Sequence, residues 1–299
     1  MIEKLIEKAE ILMESLPYIK TFNSKTFVIK YGGSAMLDED LKKSIIHDII
    51  LLKYIGINPV IVHGGGPAVT KYLDKMGIKS KFVNGLRVTD KETMNIVQMV
   101  LVGKINLEIV SMLNLYGGKG IGLTGKDSNL IIARKHLPEM QYDAQGKNEE
   151  AIDLGFVGEI EKIDPTPIEF LCKMGYIPVI SPIGVGLDGE SYNINADAVA
   201  GEIAQALKAE KLIMLTDVDG IYEVPDNKST KITALTLDKA MQMISSNKIS
   251  GGMIPKVKAC MNATSNGVKR THIIDGNEKH SILLEIFTDK GIGTMVTKD

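Results

Sequence analysis

Over residues 1 to 16 the apolar positions Ile2, Leu5, Ile6, Ala9, Leu12, Met13 and Leu16 recur at helical spacing, with charges on the opposite face. The chain is therefore expected to open with an amphipathic helix that Pro17 stops, its apolar stripe suited to a core or to another subunit. The body then alternates short β-branched runs with helical patterns. Strands are expected at Thr26 to Lys30 and Asn58 to His63. Helices are expected at Glu39 to Tyr54 and at Pro67 to Met76, the second with Pro in its first turn and Gly77 after its end. Thr89 and Glu92 read as a capping box for a long helix to about Leu115, ended by Gly117 and Gly118. Between Gly120 and Ile163 the pattern becomes β-rich. Leu130 to Arg134 and Phe156 to Ile163 read as strands, and the polar stretch His136 to Glu150 between them as a mobile or hairpin loop. The alternation then resumes. Helices are expected at Ile168 to Met174, Ala196 to Ala209, Leu237 to Ser245, Pro255 to Ser265 and Ser281 to Phe287; strands at Tyr176 to Ser181, Lys211 to Thr216, Thr271 to Asp275 and Thr294 to Thr297. This rhythm predicts an α/β fold with an open, mainly parallel central sheet and helices on both faces, preceded by the amphipathic helix.

Composition narrows the function classes. The 299 residues, 44% of them hydrophobic, suffice for one large domain or two lobes. With 35 Lys+Arg against 37 Asp+Glu the formal charge is -2, too little for the global basic field that attracts nucleic acid. A phosphate ligand must then be held by local geometry. No run approaches the ~18 consecutive apolar residues of a membrane span, and Glu3, Lys4, Glu7, Lys8, Glu10 and Glu14 interrupt any signal-peptide core. Neither a nucleic acid nor a membrane is expected as partner, and the expected location is cytoplasmic. Cys172 and Cys260 have no CxxC or ligand spacing and read as buried thiols.

Gly120, Gly122 and Gly125 satisfy G-x-G-x-x-G and, with Lys126, come close to a P-loop. Both motifs need a preceding strand and a helix directly after. Here the glycines follow a helix end, the next apolar run is strand-like, and Asp127 stands where the P-loop needs Ser or Thr, so they read as tight turns. Three other glycine clusters fall where a strand meets a helix: Lys30-Tyr31-Gly32-Gly33-Ser34, His63-Gly64-Gly65-Gly66-Pro67 and Ser250-Gly251-Gly252-Met253-Ile254-Pro255-Lys256. In an open α/β sheet ligands bind beyond the carboxyl ends of the strands, where backbone N–H groups and helix N-termini face an anion. The first two clusters are tight turns or a double anion cradle, and Lys30 favours the cradle. Lys256 falls in a first helical turn, where a cation is unfavourable without an anion nearby. Asn193-Ile194-Asn195-Ala196-Asp197 opens another helix, with Asn193 as cap or ligand donor and Asp197 as a dipole-favourable acid.

Six segments resemble, in order and over nearly the whole chain, the motifs of the amino acid kinase family. They are Lys30-Tyr31-Gly32-Gly33, His63-Gly64-Gly65-Gly66-Pro67, Asn84-Gly85-Leu86-Arg87-Val88-Thr89, Tyr192-Asn193-Ile194-Asn195-Ala196-Asp197, Thr216-Asp217-Val218-Asp219-Gly220 and Gly251-Gly252-Met253-Ile254-Pro255-Lys256. Within the family they are most similar to the members that act on N-acetyl-L-glutamate. The resemblance implies transfer of the ATP γ-phosphate to the side-chain carboxylate of N-acetyl-L-glutamate, giving N-acetyl-L-glutamyl 5-phosphate, the second step of arginine biosynthesis. It implies Lys30 and Lys256 at the transferring phosphoryl group, with Asp197 holding both. Gly33, Gly65 and Gly66 would offer backbone N–H groups, and Arg87 and Asn193 would bind the acetylglutamate, Arg87 at its α-carboxylate. Gly32 and Gly33, the run Asp217, Val218, Asp219, Gly220, Ile221 and Tyr222, and Gly252 with Met253 would serve the nucleotide. An ionised carboxylate nucleophile needs no general base. That fits His47, His136, His272 and His280, which lack metal-like spacing, and His63, which is read as supporting its turn. Mg²⁺ is expected to arrive with ATP.

The opening helix, with Leu16-Pro17-Tyr18-Ile19 after it, resembles the arginine-inhibited hexameric members, whose helices interlace between dimers. The resemblance implies a homo-hexamer built as a trimer of dimers, with a PII-type regulator as a candidate partner. It also implies L-arginine as inhibitor, at a site built from Tyr18, Lys211, His272, Glu285, Gly291 and Gly293 in which Glu285 pairs the guanidinium. Asn277 departs from the Arg usual after Asp-Gly. The chain then divides into an oligomerisation helix (1–20), an acetylglutamate-binding and dimerising lobe (21–182) and a lobe for ATP and arginine (183–299). The competing readings are a family member acting on glutamate, aspartate, carbamate or UMP, and a non-catalytic arginine sensor. The length leaves no room for the extensions usual in aspartate and glutamate kinases, and retention of Lys30, Lys256 and Asp197 opposes the sensor.

Overall fold

The computed structural model describes residues 2–142, 148–224 and 227–298. Its main sheet contains β1 (Thr26–Tyr31), β2 (Asn58–His63), β3 (Gly120–Leu123), β4 (Ile177–Ile180), β5 (Lys211–Thr216), β6 (Ala234–Thr236), β7 (Arg270–Asp275) and β8 (Thr294–Thr297). They lie side by side in the order β6-β8-β7-β5-β1-β2-β4-β3, parallel throughout except for the β7–β8 pair. β1 is buried from Phe27 to Tyr31 because both faces of the sheet are covered.

The two-residue period of the strands sorts the core. Val28, Val60, Val62, Leu212 and Met214 face one layer of helices: α5 (Thr166–Lys173), α6 (Ala196–Ala206), α7 (Leu237–Ser245) and α8 (Met253–Ser265). Phe27, Ile29, Ile61, Ile213 and Leu215 face the other layer, formed by α1 (Ile2–Phe22), α2 (Glu39–Tyr54), α3 (Gly66–Lys75), α4 (Lys91–Leu115) and α9 (Ser281–Ile286). A smaller sheet orders Ser191–Asn193, Ile183–Val185, Ile131–Lys135 and Gly158–Ile163, and Glu139–Tyr142 pairs antiparallel with Asn148–Ile152. The stretch expected as a mobile or hairpin loop is thus a hairpin whose residues 143–147 lie outside the described residues.

Several local expectations are corrected. Pro17 does not stop α1, which runs on to Phe22 because its last turns have the body to pack on. Tyr18 meets Phe287 edge-on at 6.2 Å between centroids, and Phe22 meets Phe27 at 5.2 Å. Asp90, not Thr89, caps α4 by accepting from the Thr93 N–H, while buried Thr89 donates to the Arg87 carbonyl. By length and mean hydropathy α4 would pass as a membrane span, although Lys104, Asn106 and Glu108 interrupt its apolar run as the sequence shows. Its apolarity is explained by a face that buries Met94, Val97, Leu101, Ile105, Ile109 and Leu113 in the core. Helix α8 starts two residues before Pro255, at Met253. Gly120 and Gly122 are not turn residues but part of strand β3 pressed against α4. A Cβ on Gly120 would stand 3.0 Å from Leu113, and one on Gly122 would stand 2.0 Å from Asn106 Oδ1.

Candidate active site

The carboxyl ends of β1 and β2 deliver the two glycine turns. Lys30, near the end of β1, is 7% exposed and folds its side chain back along Gly32, where a Cβ would stand 2.5 Å from Lys30 Nζ. Only a residue without a side chain leaves that ammonium its place. Gly33 follows with φ +75°, in the left-handed region, and presses against the Asp217 carboxylate at the end of β5. In the second turn Gly65 packs on Leu101 and Ile105 of α4, either of which a Cβ would meet within 2.5 Å.

Asp197 stands in the first turn of α6, whose cap is Asn195: its side-chain oxygen accepts from the Asp197 and Ala198 N–H groups at 2.8 and 3.2 Å. That relieves Asn193 of the capping role expected for it. Asn193 ends a short strand instead, with its amide 3.4 Å from Thr89 Oγ1. The Asp197 carboxylate is 5% exposed and spans two lysines from distant parts of the chain. Lys30 Nζ lies 3.1 Å from Oδ1, an ion pair outside hydrogen-bond geometry, and Lys256 Nζ donates to Oδ2 at 2.9 Å. Burial pushes the carboxyl up, but the coulombic pull of Lys30 and then of Lys256 holds it below the usual carboxylate range. Asp197 is also the anion that makes a lysine tolerable in the first turn of α8.

Arg87 comes from the two-residue turn Asn84-Gly85, both at positive φ, between Phe82–Val83 and Leu86–Arg87. The register sets Arg87 opposite Phe82, with its guanidinium 4.6 Å from the ring centroid. Its nitrogens donate to Ser80 Oγ, Thr70 Oγ1 and the Gly66 carbonyl. At 7% exposure the guanidinium's pKa is drawn down by burial, with Asp74 opposing.

Two cavities meet at Asp197 and Asn195. One, of about 270 Å³, is lined by Lys30, Gly32, Gly33, Gly65, Gly66, Arg87 and Asn193. The other, of about 1030 Å³, is lined by Gly252 and Lys256 and reaches along α6 and α8. The N-termini of α3, α6 and α8 open onto them, so three positive helix ends and three buried or half-buried cations line the two cavities, with the Asp197 carboxylate where they meet. This arrangement is fit to hold a chain of phosphates beside a carboxylate ligand. Gly85 and Leu86 line both cavities, and Asn84 lines the larger one. The Asn84-Gly85 dipeptide is the readable sequence signal of that hairpin.

The other expected nucleotide residues divide. Asp217, Val218, Asp219 and Gly220 follow β5, and Ile221–Tyr222 pairs with Lys231–Ile232. Tyr222 donates to Asp219, which Lys231 also approaches at 3.4 Å. This run touches the site through Asp217 and Gly33 and lines neither cavity. Met253 packs on the core rather than into the cavities.

The residues expected around arginine do come together, about a cavity of about 680 Å³ lined by Tyr18, Lys211, His272, Glu285, Gly291 and Gly293. Glu285 accepts from the Ile292 and Gly293 N–H groups at 2.7 and 3.0 Å and lies 2.6 Å from His272 Nδ1. Burial and the neighbouring Arg270 push the Lys211 ammonium down to about 8. Tyr18 hydrogen-bonds Asp289 across the cavity mouth. Among the described residues no group of three or more His, Cys, Asp and Glu could hold a metal ion, and both cysteines are free and buried.

The model of the amino acid kinase family matches residues 25–275. Over 294 residues, 98% of this chain and 94% of the relative, the sequence is 57% identical to an acetylglutamate kinase of Caldanaerobacter subterraneus subsp. tengcongensis. Among solved structures, the N-acetylglutamate synthase of Neisseria gonorrhoeae complexed with coenzyme A and N-acetyl-glutamate superposes with TM-score 0.82 at 26% identity. The same synthase complexed with coenzyme A and L-arginine gives 0.79 at 25%. Each covers 97% of this chain, which spans only 63% and 65% of the respective synthase chains.

Proposed function

The chain belongs to the amino acid kinase family, and we propose that it transfers the γ-phosphate of ATP to the side-chain carboxylate of N-acetyl-L-glutamate in arginine biosynthesis. The observation that carries this reading is the Lys30–Asp197–Lys256 clasp at the junction of two cavities, with the Arg87 guanidinium walling the smaller one.

The small cavity takes the acyl substrate, with Arg87 held by Ser80 and Thr70 to grip its α-carboxylate as a fork. The large cavity takes the nucleotide. A side-chain carboxylate oxygen attacks the γ-phosphorus in line, the bond to the β,γ-bridging oxygen breaks, and ADP carries the released electron pair. The attacking carboxylate is already ionised, so no proton moves and no base is required. What the chain supplies is charge at the moving group: Lys30 and Lys256, fixed by Asp197, together with glycine N–H groups and helix N-termini. Asp197 is spent on two lysines, a donor set that suits phosphate oxygens rather than a cation. Mg²⁺ would therefore ride on the nucleotide, where it neutralises phosphate charge.

Inhibition by L-arginine and assembly as a trimer of dimers belong to the same proposal. Supporting the first is the cavity around Glu285, whose carboxylate, Lys211 and glycine backbone suit an amino acid carrying a guanidinium. Supporting the second is α1, which exposes Ile2, Ile6, Ile11, Leu12 and Met13.

The test is ADP release with each of N-acetyl-L-glutamate, L-glutamate, L-aspartate, carbamate and UMP as acceptor. The expected result is turnover on the N-acetyl compound well above every other acceptor. Faster turnover on free glutamate would reject the reading.

A further inference from the structure

Gly64, first glycine of the second turn, is held by both of its backbone groups. Its N–H donates to the Tyr31 carbonyl at 2.8 Å, stitching the second turn to the first, and its carbonyl lies 2.8 Å from His63 Nδ1. A carbonyl only accepts, so Nδ1 carries a proton. His63 is fully buried, and burial pushes its imidazole down to about 4 against the opposing Gly64 hydrogen bond, so the ring is neutral at pH 7. Nε2 is then an acceptor, and both of its neighbours are able to donate. Ser181 Oγ lies at 3.0 Å and Asn106 Nδ2 at 3.2 Å, the amide sending its other hydrogen to the Val179 carbonyl at 2.9 Å. Asn106 reaches this point from the last position of a π-helical stretch of α4, Met99–Asn106, and is 3% exposed. Gly122 of β3 leaves the room that the Asn106 carbonyl needs.

The peptide between Gly64 and Gly65 is trans, so its N–H points away from its C=O. A Gly64 carbonyl fastened to the buried ring leaves the Gly65 N–H turned to the opposite side, and Gly65 lines the small cavity with Lys30, Gly33 and Asp197. We propose that His63 is a positioning residue: its Nδ1–H, fixed as the tautomer by Asn106 and Ser181, aims the Gly65 N–H at the transferring phosphoryl group. This inference rests on the phosphoryl-transfer reading and adds a named device to it.

Two substitutions separate aiming from core filling. In His63→Asn the amide nitrogen takes the place of Nδ1 and still donates to Gly64, whereas His63→Gln reaches the Nε2 position and leaves the Gly64 carbonyl without its donor. Gln is the closer match in volume and keeps the Ser181 and Asn106 contacts, so a merely structural role favours it. The expected result is kcat reduced by about 10- to 100-fold in His63→Gln, with His63→Asn retaining several-fold more turnover and both KM values within about threefold of wild type. Equal losses, or better turnover in His63→Gln, overturn the proposal. Nitrogen NMR of the histidine-labelled wild-type protein, with the His63 signals assigned by their loss in His63→Asn, should report an Nδ1–H tautomer; an Nε2–H tautomer overturns it as well. Where a variant is unfolded by circular dichroism the tautomer alone decides, its assignment then made by backbone correlation. Wild-type turnover on N-acetyl-L-glutamate judges the reaction separately, so the two readings fail independently.

Discussion

Lys256 Nζ and Asp197 Oδ2 stand 2.9 Å apart and join the N-terminal turns of α8 and α6, two helix ends that would otherwise bring only positive charge to the cavity. The carboxylate thereby holds Lys30 through one oxygen and Lys256 through the other. In Asp197→Asn the two ammonium groups lose their shared anchor, and kcat is expected to fall by about 100-fold or more. Stability should fall by roughly 3 kcal/mol, since the lysines are left without their counter-ion. Inorganic pyrophosphate should then raise the melting temperature of the variant more than that of the wild type, because the anion substitutes for the carboxylate. An equal rise in both would argue against the clasp. Lys30→Ala and Lys256→Ala should each cost turnover to a similar degree, with a smaller change in nucleotide affinity measured by calorimetry.

Arg87 is arranged for planar, forked recognition, its guanidinium stacked on Phe82 and braced by Ser80, Thr70 and the Gly66 carbonyl. Lysine keeps the charge but loses the fork. Arg87→Lys is expected to raise the KM for N-acetyl-L-glutamate by about 10- to 100-fold, worth about 1.4 to 2.7 kcal/mol, while leaving the KM for ATP nearly unchanged. Steady-state kinetics with each substrate varied in turn checks this. A rise confined to the ATP KM would place Arg87 in the wrong cavity.

The buried imidazole of His63 also makes a statement about stability and pH. Its folded value of about 4 lies below the ordinary 6.5, so in that window the unfolded chain holds a proton that the native chain does not. Stability from the neutral ring is therefore complete above the ordinary value and is lost as pH falls toward the folded one, at up to about 1.4 kcal/mol per pH unit. His63→Asn lacks this term. Urea unfolding should show the variant less stable at about pH 7, with the gap to wild type narrowing by about pH 4.5. A gap that stays constant would mean the ring is not held neutral.

Among its described side chains, helix α1 presents Ile2, Ile6, Ile11, Leu12 and Met13 to solvent before it meets the body at Tyr18 and Phe22. Removing residues 1–20 should convert a hexamer into dimers by size-exclusion light scattering. Because Tyr18 lines the Glu285 cavity, the deletion should also weaken inhibition by arginine. A hexamer that survives the deletion would contradict the interlaced-helix arrangement.

Much of this was legible in the chain because it is written in local chemistry. The apolar run Lys211–Thr216 and the amphipathic run Glu39–Tyr54 form the elements expected of them, to the residue. The glycine turns declared themselves by composition, and the family motifs named Lys30, Asp197 and Lys256 before any geometry brought them together. What was not legible depends on partners far along the chain. Pro17 ends no helix because Phe27 and Phe287 give the next turn a surface. Gly120 and Gly122 read as turns because nothing nearby reveals that Leu113 and Asn106 press on them from α4. Asn195 took the cap from Asn193 through the bend of a strand pair that the polar sequence Ser191–Asn193 does not advertise. The wide stretch of α4 that buries Asn106 under His63 follows no residue pattern that a helical period detects.

Whether the Lys30–Asp197–Lys256 clasp drives phosphorylation of a carboxylate can be read from phosphorus NMR of the enzyme with Mg·ATP and N-acetyl-L-glutamate. An acyl-phosphate resonance should grow in step with ADP, disappear into a hydroxamate when hydroxylamine is added, and fail to form with Lys256→Ala. ADP accompanied only by inorganic phosphate with hydroxylamine absent and no hydroxamate in its presence, or an acyl phosphate formed equally well by Lys256→Ala, would contradict it.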